Sequence, residues 1–364
     1  MTPAERTAKP RTVTAPDSRE GGRWEGAMDK AIEAAAAVRH LTSPNPWVGC
    51  VVIAPDGSAF TGATSPPGGP HAERHALTSA GAAAQGATLI TTLEPCDHRG
   101  RTGPCTDAII EAGIRRAVIA VLDPDPAVSG AGVARLQSEG VEVQVGVRQA
   151  EVERQLLAYL HHRRTGRPWM VAKLAASIDG RTAAPDGTSQ WITSLEARTD
   201  AHRLRAFSDA VIVGAGTVRA DDPSLTVRHW TPPGGRVWSD GREPNGVVQP
   251  RRVVVGSAAR GARIHPCLQW EGPLDDLVVR LGADGATQAL IEGGPAAAGA
   301  FVRAGLVDSF VVYLAPALFG GDDGAPILSG PGAQSIHDIV RGSITAVERL
   351  GPDVRIDVAV TDAA

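Results

Sequence analysis

Cysteine is scarce in this chain, with four in 364 residues. Four thiols in a chain this long cannot form the disulfide framework on which small secreted domains depend. Two of them stand close to a His-x-Glu motif, so they read as metal ligands in a reducing compartment, the cytoplasm. Long apolar runs are missing too: no stretch reaches the 18 or so uncharged residues of a transmembrane helix, which excludes a helical membrane span. The first 23 residues carry Pro, Thr, Arg and Glu but no apolar h-region, so no secretory signal is expected there. Basic residues are not in excess, 36 Lys and Arg against 40 Asp and Glu, and the net charge of -4 argues against a nucleic-acid partner. Aromatic residues make up only 4%, yet 43% hydrophobic with 21% charged is the composition of a soluble globular protein, not of a disordered one, and the charge balance fits a small substrate better than a polyanion.

The chain is long for one domain, so two are expected. Helical spacing of Met28, Ile32, Ala35 and Val38 predicts a first helix over residues 25–41, ended by Ser43-Pro44-Asn45-Pro46. Strands are predicted at 48–54, 88–93, 117–122 and 141–145, with helices at 72–80, 106–112 and 130–138 between them. Such alternation predicts a layered α/β domain. A polar helical stretch then closes on His161-His162-Arg163-Arg164, a basic cluster that reads as a solvated linker face. Beyond it the alternation resumes, with strands at 169–175, 210–213, 252–255, 289–291, 309–314 and 354–360, and a helix at 194–207. The Pro-, Gly- and Asn-rich residues 231–249 predict a long surface loop. The organisation expected is a disordered leader over 1–24, a first α/β domain over 25–148, a linker helix over 149–166 and a second α/β domain over 167–364.

Chemistry concentrates at His71-Ala72-Glu73, Pro95-Cys96 and Pro104-Cys105. One imidazole and two thiolates leave a tetrahedral zinc ion with its fourth position free for water, as catalytic sites require. Zinc lowers the pKa of bound water from about 15.7 to about 7. Glu73, two residues past a ligand at a helix start, is placed to carry protons without binding the metal. The zinc-deaminase signature is H-x-E with P-C-x-x-C, and here the two cysteines stand farther apart. The longer loop between them offers His98 to hold a heterocycle and Arg101 to bind a phosphate. Two residues compete for the metal. His75 lies four residues after His71, and Cys50 would turn the site into a closed structural zinc, although its apolar strand setting favours a buried, inert thiol. Cys267 has no partner motif.

In the second half, Glu292-Gly293-Gly294-Pro295 follows an apolar run and opens an Ala-rich helix, whose first amides can face a pyrophosphate. Val213-Gly214-Ala215-Gly216-Thr217-Val218 lacks the third glycine of a dinucleotide fingerprint, because that position is Arg219. A Rossmann reading is therefore rejected. Arg205 and Arg228 can fork onto phosphate oxygens. Lys173, flanked by apolar residues, is either a snorkelling side chain or a substrate contact.

Taken together, Pro44-Asn45-Pro46, Val48-Gly49-Cys50, Pro70-His71-Ala72-Glu73 and Leu93-Glu94-Pro95-Cys96 through Pro104-Cys105 resemble the bifunctional riboflavin-biosynthesis pyrimidine deaminase/reductases. The second half adds the stretch from Lys173 to Arg181, Ser189-Gln190-Trp191-Ile192-Thr193-Ser194, the stretch from Asp221 to Arg228, and Glu292-Gly293-Gly294-Pro295. The resemblance implies a cytidine-deaminase-like three-layer α/β/α domain followed by a dihydrofolate-reductase-like α/β domain. It implies zinc-dependent hydrolysis of the 2-amino group of 2,5-diamino-6-(ribosylamino)-4(3H)-pyrimidinone 5'-phosphate, then reduction of ribosyl to ribityl by NADPH, in a homo-oligomer. It makes His71, Cys96 and Cys105 the zinc ligands and Glu73 the proton carrier. Asn45 and Lys173 join the substrate contacts, with Ser189, Arg205, Leu225, Arg228 and Glu292. The nucleotide falls to Ala175, Trp191, Thr217, Asp221, Ser257, Gly294, Pro295, Ala296, Ala297, Ala298, Gly299 and Ala300.

The chain departs from the family's Gly-x-Gly-x-His stretch, placing Phe60, Gly62 and Thr64 there. Thr64 keeps one hydroxyl for hydrogen bonding, so altered affinity is expected, not lost chemistry. Two other classes stay open: a nucleoside or RNA deaminase with a C-terminal binding module, and a non-enzymatic protein with structural zinc.

Overall fold

The structure, a computed structural model, describes residues 18–98, 103–125, 128–232 and 247–361. The chain forms two compact units, Met1–Val38 with Pro46–Leu156, and Arg39–Asn45 with Leu157–Ala364.

In chain order the elements up to the end of the first unit are α1 (Ser18–Ala36), α2 (Arg39–Thr42), β1 (Gly49–Ile53), β2 (Ala59–Ala63), α3 (Ala72–Ala80), β3 (Thr88–Leu93), α4 (Cys105–Glu111), β4 (Arg116–Val121), α5 (Ala131–Ser138), β5 (Glu142–Val145) and α6 (Gln149–Gln155). Of these, α2 belongs to the second unit. The sheet order is β2-β1-β3-β4-β5. β1 runs antiparallel to both neighbours, and β3, β4 and β5 are parallel. Two glycines show how the layers close. A Cβ on Gly49 would lie 1.8 Å from Ala31 O of α1, and one on Gly62 would lie 2.3 Å from Ala72 O of α3. Gly62 pairs with Cys50, the residue after Gly49, so the two glycines look to opposite faces of the pleat. Helices α1 and α3 therefore cover opposite faces, which makes three layers.

The second unit continues with α7 (Leu157–Thr165), β6 (Trp169–Ser177), β7 (Arg181–Ala183), α8 (Leu195–Ala206), β8 (Ala210–Gly214), α9 (Ala215–Asp221), β9 (Arg251–Val255), β10 (Leu268–Trp270), α10 (Leu274–Ala283), β11 (Gln288–Ile291), α11 (Pro295–Arg303), β12 (Ser309–Ala315), β13 (Ala325–Pro326), β14 (Gly342–Leu350) and β15 (Asp353–Val360). Its main sheet is ordered β10-β9-β8-β11-β6-β12-β15-β14. The strands from β10 to β12 are parallel, and β15 and β14 are antiparallel additions. Alternate residues of the central strands feed two apolar layers, Met170, Ala210 and Ile212 on one face and Val171, Val211 and Val213 on the other. Burial on both faces is why these strands read as continuous apolar runs. β8 and β11 are adjacent and parallel, yet the chain leaves β8 toward β9 on one side and leaves β11 toward β12 on the other. That divergence opens a crevice at their C-terminal ends, the usual ligand position in an open α/β sheet.

Three expectations are corrected. The first helix begins at Ser18, inside the expected leader, because Trp24 and Met28 both bury against the domain at 6% and 0% exposure. It also stops at Ala36, short of residue 41. Residues 1–17 of the leader lie outside the described residues. The linker is not one helix: α6 and α7 are separate, and they fall in different units. Val152 and Leu156 bury with helical spacing, whereas Ala158, Tyr159 and Leu160 bury consecutively, so one continuous amphipathic stripe cannot serve both halves. The strands β2, β7, β10, β13 and β14 and the helices α9 and α10 have no counterpart among the predicted elements. β14 is exposed along eight of its nine residues, so it carries no inside-outside alternation to read. Most of the loop expected at 231–249 lies outside the described residues.

Candidate deaminase centre and reductase cleft

In the first unit three elements converge on one point. His71 is the residue that caps α3, Glu73 lies in the first turn of that helix, Cys96 follows the end of β3, and Cys105 opens α4. The Cys105 and Thr106 amides donate to Cys96 O at 3.0 and 3.3 Å, which folds the two cysteines onto each other. His71 Nδ1 lies 3.6 Å from Cys96 Sγ and 3.3 Å from Cys105 Sγ. The three donor atoms all lie within 4.8 Å of one another. Zn–S and Zn–N bonds of ordinary length at a tetrahedral angle would separate nitrogen and sulfur by roughly 3.6 Å, so the donor set fits zinc by type and by spacing. Hydrogen bonding from Cys105, assisted by His71, pulls the Cys96 thiol down to about 4, while the same contact pushes Cys105 up. Both sulfurs give up their protons on binding a metal.

Glu73 is buried at 3% exposure and accepts from Cys105 Sγ at 3.5 Å. Burial, then the nearby Cys96, raises its pKa above the ordinary carboxylate range. It is thus a buried carboxyl beside the metal ligands but outside the group of donor atoms. The two rival ligands are occupied otherwise. His75 Nε2 lies 2.7 Å from Ser65 Oγ. Cys50 is fully buried in β1, and burial, then Glu73, pushes its thiol well up. Neither belongs to the three-residue donor group. Arg74, which the motif reading passed over, donates to Gly103 O and Pro104 O at 3.0 and 3.1 Å and so braces the approach to Cys105.

Of the other residues expected here, His98 is exposed. Arg101 lies outside the described residues. Asn45 stands in the 39–45 segment that belongs to the second unit. Thr64 Oγ1 accepts from the Val48 amide at 3.0 Å and donates to Val48 O at 3.3 Å. Its single proton is spent on the backbone, leaving one lone pair for a ligand.

In the second unit a cleft of about 440 Å³ gathers Lys173, Trp191, Arg198, His202, Arg205 and Arg228 along its walls. Arg205 grips Glu292 with two bonds, Nε to Oε1 at 2.6 Å and Nη2 to Oε2 at 2.7 Å. Burial alone would lift Glu292, but the Arg205 charge and these bonds more than reverse it and hold the carboxylate below its ordinary range. The two residues, read separately from the sequence, form one unit. Burial lowers the pKa of Lys173, and its ammonium lies 5.9 Å from the Tyr313 ring centroid. His202, missed by sequence reasoning, accepts the Arg228 amide on Nδ1 at 3.2 Å. Burial, then Arg205 and Arg228, depresses His202 to about 4, so the ring is neutral. No motif signals it, because its partner lies 26 residues away. Leu225 is 4% exposed with φ of 52°, a left-handed conformation costly for such a side chain. With its side chain in the core, any contact it makes with substrate goes through the main chain. Ser189 is half-buried in the loop before α8.

The nucleotide residues divide. Gly294 caps α11, and its amide donates to Thr217 Oγ1 at 3.0 Å, joining the ends of β8 and β11. A Cβ on Gly293 would lie 2.5 Å from Ala297 Cβ. Gly293 and Gly294 therefore let the end of β11 pack closely on Thr217 and on Ala297 at the start of α11, a helix start that offers amides to a phosphate. Pro295, Ala296 and Ala297 form the first turn, whereas Ala298 is fully buried and Gly299 packs on Ser329 O, where a Cβ would come to 2.4 Å. Ala300 follows them on the same helix, Ala175 lies on β6, and Asp221 ends α9. Ser257 is exposed just past β9, and Trp191, 68% exposed, has the Arg198 guanidinium 4.3 Å from its ring centroid. If the start of α11 receives the cofactor, we expect Gly293→Ala to raise the KM for NADPH by about an order of magnitude with little change in kcat, because the added methyl collides with Ala297 Cβ and displaces that helix start. Steady-state kinetics with varied NADPH checks this.

A three-layer unit with a His, Cys, Cys and Glu constellation, joined to a parallel-sheet unit with a cationic cleft and a glycine-opened helix start, defines a zinc deaminase fused to a reductase. Comparison with known proteins agrees. The family "Cytidine and deoxycytidylate deaminase zinc-binding region" matches residues 23–121, and "RibD C-terminal domain" matches residues 168–356. The riboflavin biosynthesis protein RibD of Escherichia coli is 39% identical, covering 90% of this chain and 96% of that protein. The structure of Acinetobacter baumannii RibD has a TM-score of 0.83 at 34% identity, covering 94% of this chain and 100% of that one. The diaminohydroxyphosphoribosylaminopyrimidine deaminase/5-amino-6-(5-phosphoribosylamino)uracil reductase of Thermotoga maritima has a TM-score of 0.79 at 30% identity, with coverage of 94% and 100%.

The chain belongs to the RibD family. It is a bifunctional riboflavin-pathway enzyme, a zinc-dependent deaminase and an NADPH-dependent reductase, with the cytidine-deaminase-like and dihydrofolate-reductase-like folds expected. The match over the second unit sets aside the nucleoside or RNA deaminase with a mere binding module, and also the non-enzymatic zinc protein. Among the described residues no helix is long and apolar enough to cross a membrane.

Proposed function

We propose the following division of labour between named residues. In the deaminase unit, His71, Cys96 and Cys105 would hold zinc, which when bound supplies a water of lowered pKa. Glu73 takes a proton from the attacking water and passes it to a ring nitrogen of the diaminopyrimidine, then takes the second proton from the hydroxyl now on the ring carbon and delivers it to the amino group, which leaves as ammonia. Burial supports this role, since a carboxyl with a raised pKa can hold a proton as well as release one. His98 and Arg101 orient the pyrimidine phosphate.

In the reductase domain, taken as residues 167–364, Lys173, Ser189, Arg205 and Arg228 hold the ribosyl phosphate, with Leu225 contributing backbone. Glu292 fixes the Arg205 fork so that its outer face meets the ligand. NADPH, the hydride source, lies across the ends of β8 and β11. There the first turn of α11, with Gly294 and Thr217, meets its phosphates, and Ala175, Trp191, Asp221 and Ser257 complete the cradle. The protein works in the cytoplasm, where thiolate ligands stay reduced, and as a homo-oligomer. The exposed apolar residues Ile336, Val340, Ile344 and Val347 give it a surface to bury.

The observation that carries this reading is the Nδ1, Sγ, Sγ triangle with a buried carboxyl 3.5 Å from one sulfur. Its test is to give the purified protein the diaminopyrimidine phosphate with and without NADPH and to follow both products. Ammonia should appear in both arms, and 5-amino-6-(ribitylamino)uracil 5'-phosphate only with NADPH. Ammonia release that persists after full removal of zinc would refute the assignment.

A further inference from the structure

Between β3 and Cys96 lies Glu94, whose carboxylate is buried at 4% exposure and is absent from the reaction described above. It reaches across the domain to backbone amides far along the chain. Oε2 accepts from Asp123 N at 3.2 Å and Gly130 N at 3.0 Å, and Oε1 accepts from Val133 N at 3.1 Å. Gly130 caps α5 and Val133 lies in its first turn, so Glu94 serves as a remote N-terminal cap for that helix. A carboxylate is suited to such a place because the first amides of a helix have no partner within it and carry partial positive charge.

A second observation concerns the next residue. Gly132, also in the first turn of α5, comes so close to the turn before Cys96 that a Cβ would lie 2.0 Å from Pro95 O and 3.3 Å from Glu94 Cγ. The Glu94-Pro95 backbone is thus seated directly on the start of α5, held by three charge-assisted bonds and by a glycine that permits the approach. From the other side, Cys96 O accepts the Cys105 and Thr106 amides. The sulfur of Cys96 is fixed only as well as this short backbone segment is fixed. A side chain with a single torsion between its Cα and its sulfur has little freedom to recover a displacement of that Cα.

We infer that Glu94 is a positioning residue for the deaminase metal centre: by docking the Glu94-Pro95-Cys96 turn onto the start of α5, it sets the place of Cys96 and thereby the retention of zinc. The inference rests on Cys96 being a zinc ligand, and wild-type protein that holds no zinc at this centre would refute that assignment, not the role of Glu94. Groups that orient a ligand without touching the metal change affinity by about 10–100-fold when removed.

The experiment is competition for zinc against a chromophoric chelator, using full-length protein and three variants. Glu94→Gln keeps the shape but turns an amide group toward backbone donors. Gly132→Ala disturbs the same docking from the opposite side. Leu136→Ala, at a fully buried position of α5, loosens the helix without touching the turn. Glu94→Gln and Gly132→Ala should each weaken zinc binding by at least about tenfold, while Leu136→Ala lowers the melting temperature but leaves zinc affinity within about threefold. NADPH-dependent reduction of the deaminated pyrimidine should continue in all three. Unchanged zinc affinity in Glu94→Gln would overturn the inference, as would an equal loss in Leu136→Ala, since the effect would then be one of general stability. Should Glu94→Gln fail to fold, Gly132→Ala decides by the same criterion.

Discussion

Glu73→Gln is expected to keep its zinc and its fold while deamination falls by about 10²–10⁴-fold, the worth of general acid-base catalysis. The amide is nearly isosteric with the carboxyl, so the buried space beside Cys105 stays filled. It can neither take the water proton nor deliver one to ammonia. His71 and both cysteines keep their positions, because Glu73 is not among the donor atoms. Reduction of the already deaminated pyrimidine phosphate should be unaffected, since its residues belong to the other unit. Bound zinc, ammonia release and NADPH oxidation measured on one preparation separate these effects. Deamination at the wild-type rate would remove Glu73 from the mechanism, and loss of both reactions would contradict their separation.

Arg205→Ala should be the most damaging single change in the reductase unit. The Arg205 and Glu292 side chains are only 14% and 6% exposed, and the variant strands Glu292 as a buried charge without its partner. Removal of one member of such a pair costs about 3–5 kcal/mol, and reduction should be abolished along with it. Stability and binding can be told apart with the double variant Arg205→Met, Glu292→Leu, which removes both charges. It should regain most of the urea midpoint and still not reduce, since the guanidinium proposed to hold the phosphate together with Arg228 is gone. Recovery of reduction in the double variant would make the pair purely structural.

The pair also has a pH signature. Because Arg205 holds Glu292 below the ordinary carboxylate range, its contribution is complete above the titration of an unfolded glutamate, about 4.3. It is lost as pH falls through the lower folded value. Denaturation midpoints of wild type and double variant should therefore converge on acidification.

Legibility followed distance along the chain. The helix over 72–80 and the strand over 88–93 were readable to the residue, because each is a local period of apolar side chains. The helix start was misplaced because Trp24 lies before the recognisable repeat, and the linker was read as one helix because its break at Leu156 follows from burial in two different units. At the deaminase centre the ligand types and Glu73 were legible, since zinc chemistry demands them in that company. Glu94 and Arg74 were not legible in these roles, because their partners are backbone atoms, those of Glu94 lying 29 to 39 residues away.

By itself, then, the order of residues determined the chemistry available, a nitrogen and two sulfurs with one free carboxyl, a glycine-opened helix, and the alternation that makes two layered domains. Tertiary structure decided which of those groups meet. It tied His75 to Ser65, sealed Cys50 in a strand, spent the Thr64 hydroxyl on Val48, joined Arg205 to Glu292, and laid the Cys96 turn on α5. Donor type is a property of one side chain, whereas distance, burial and the partner of a buried charge arise only when segments far apart in sequence pack together.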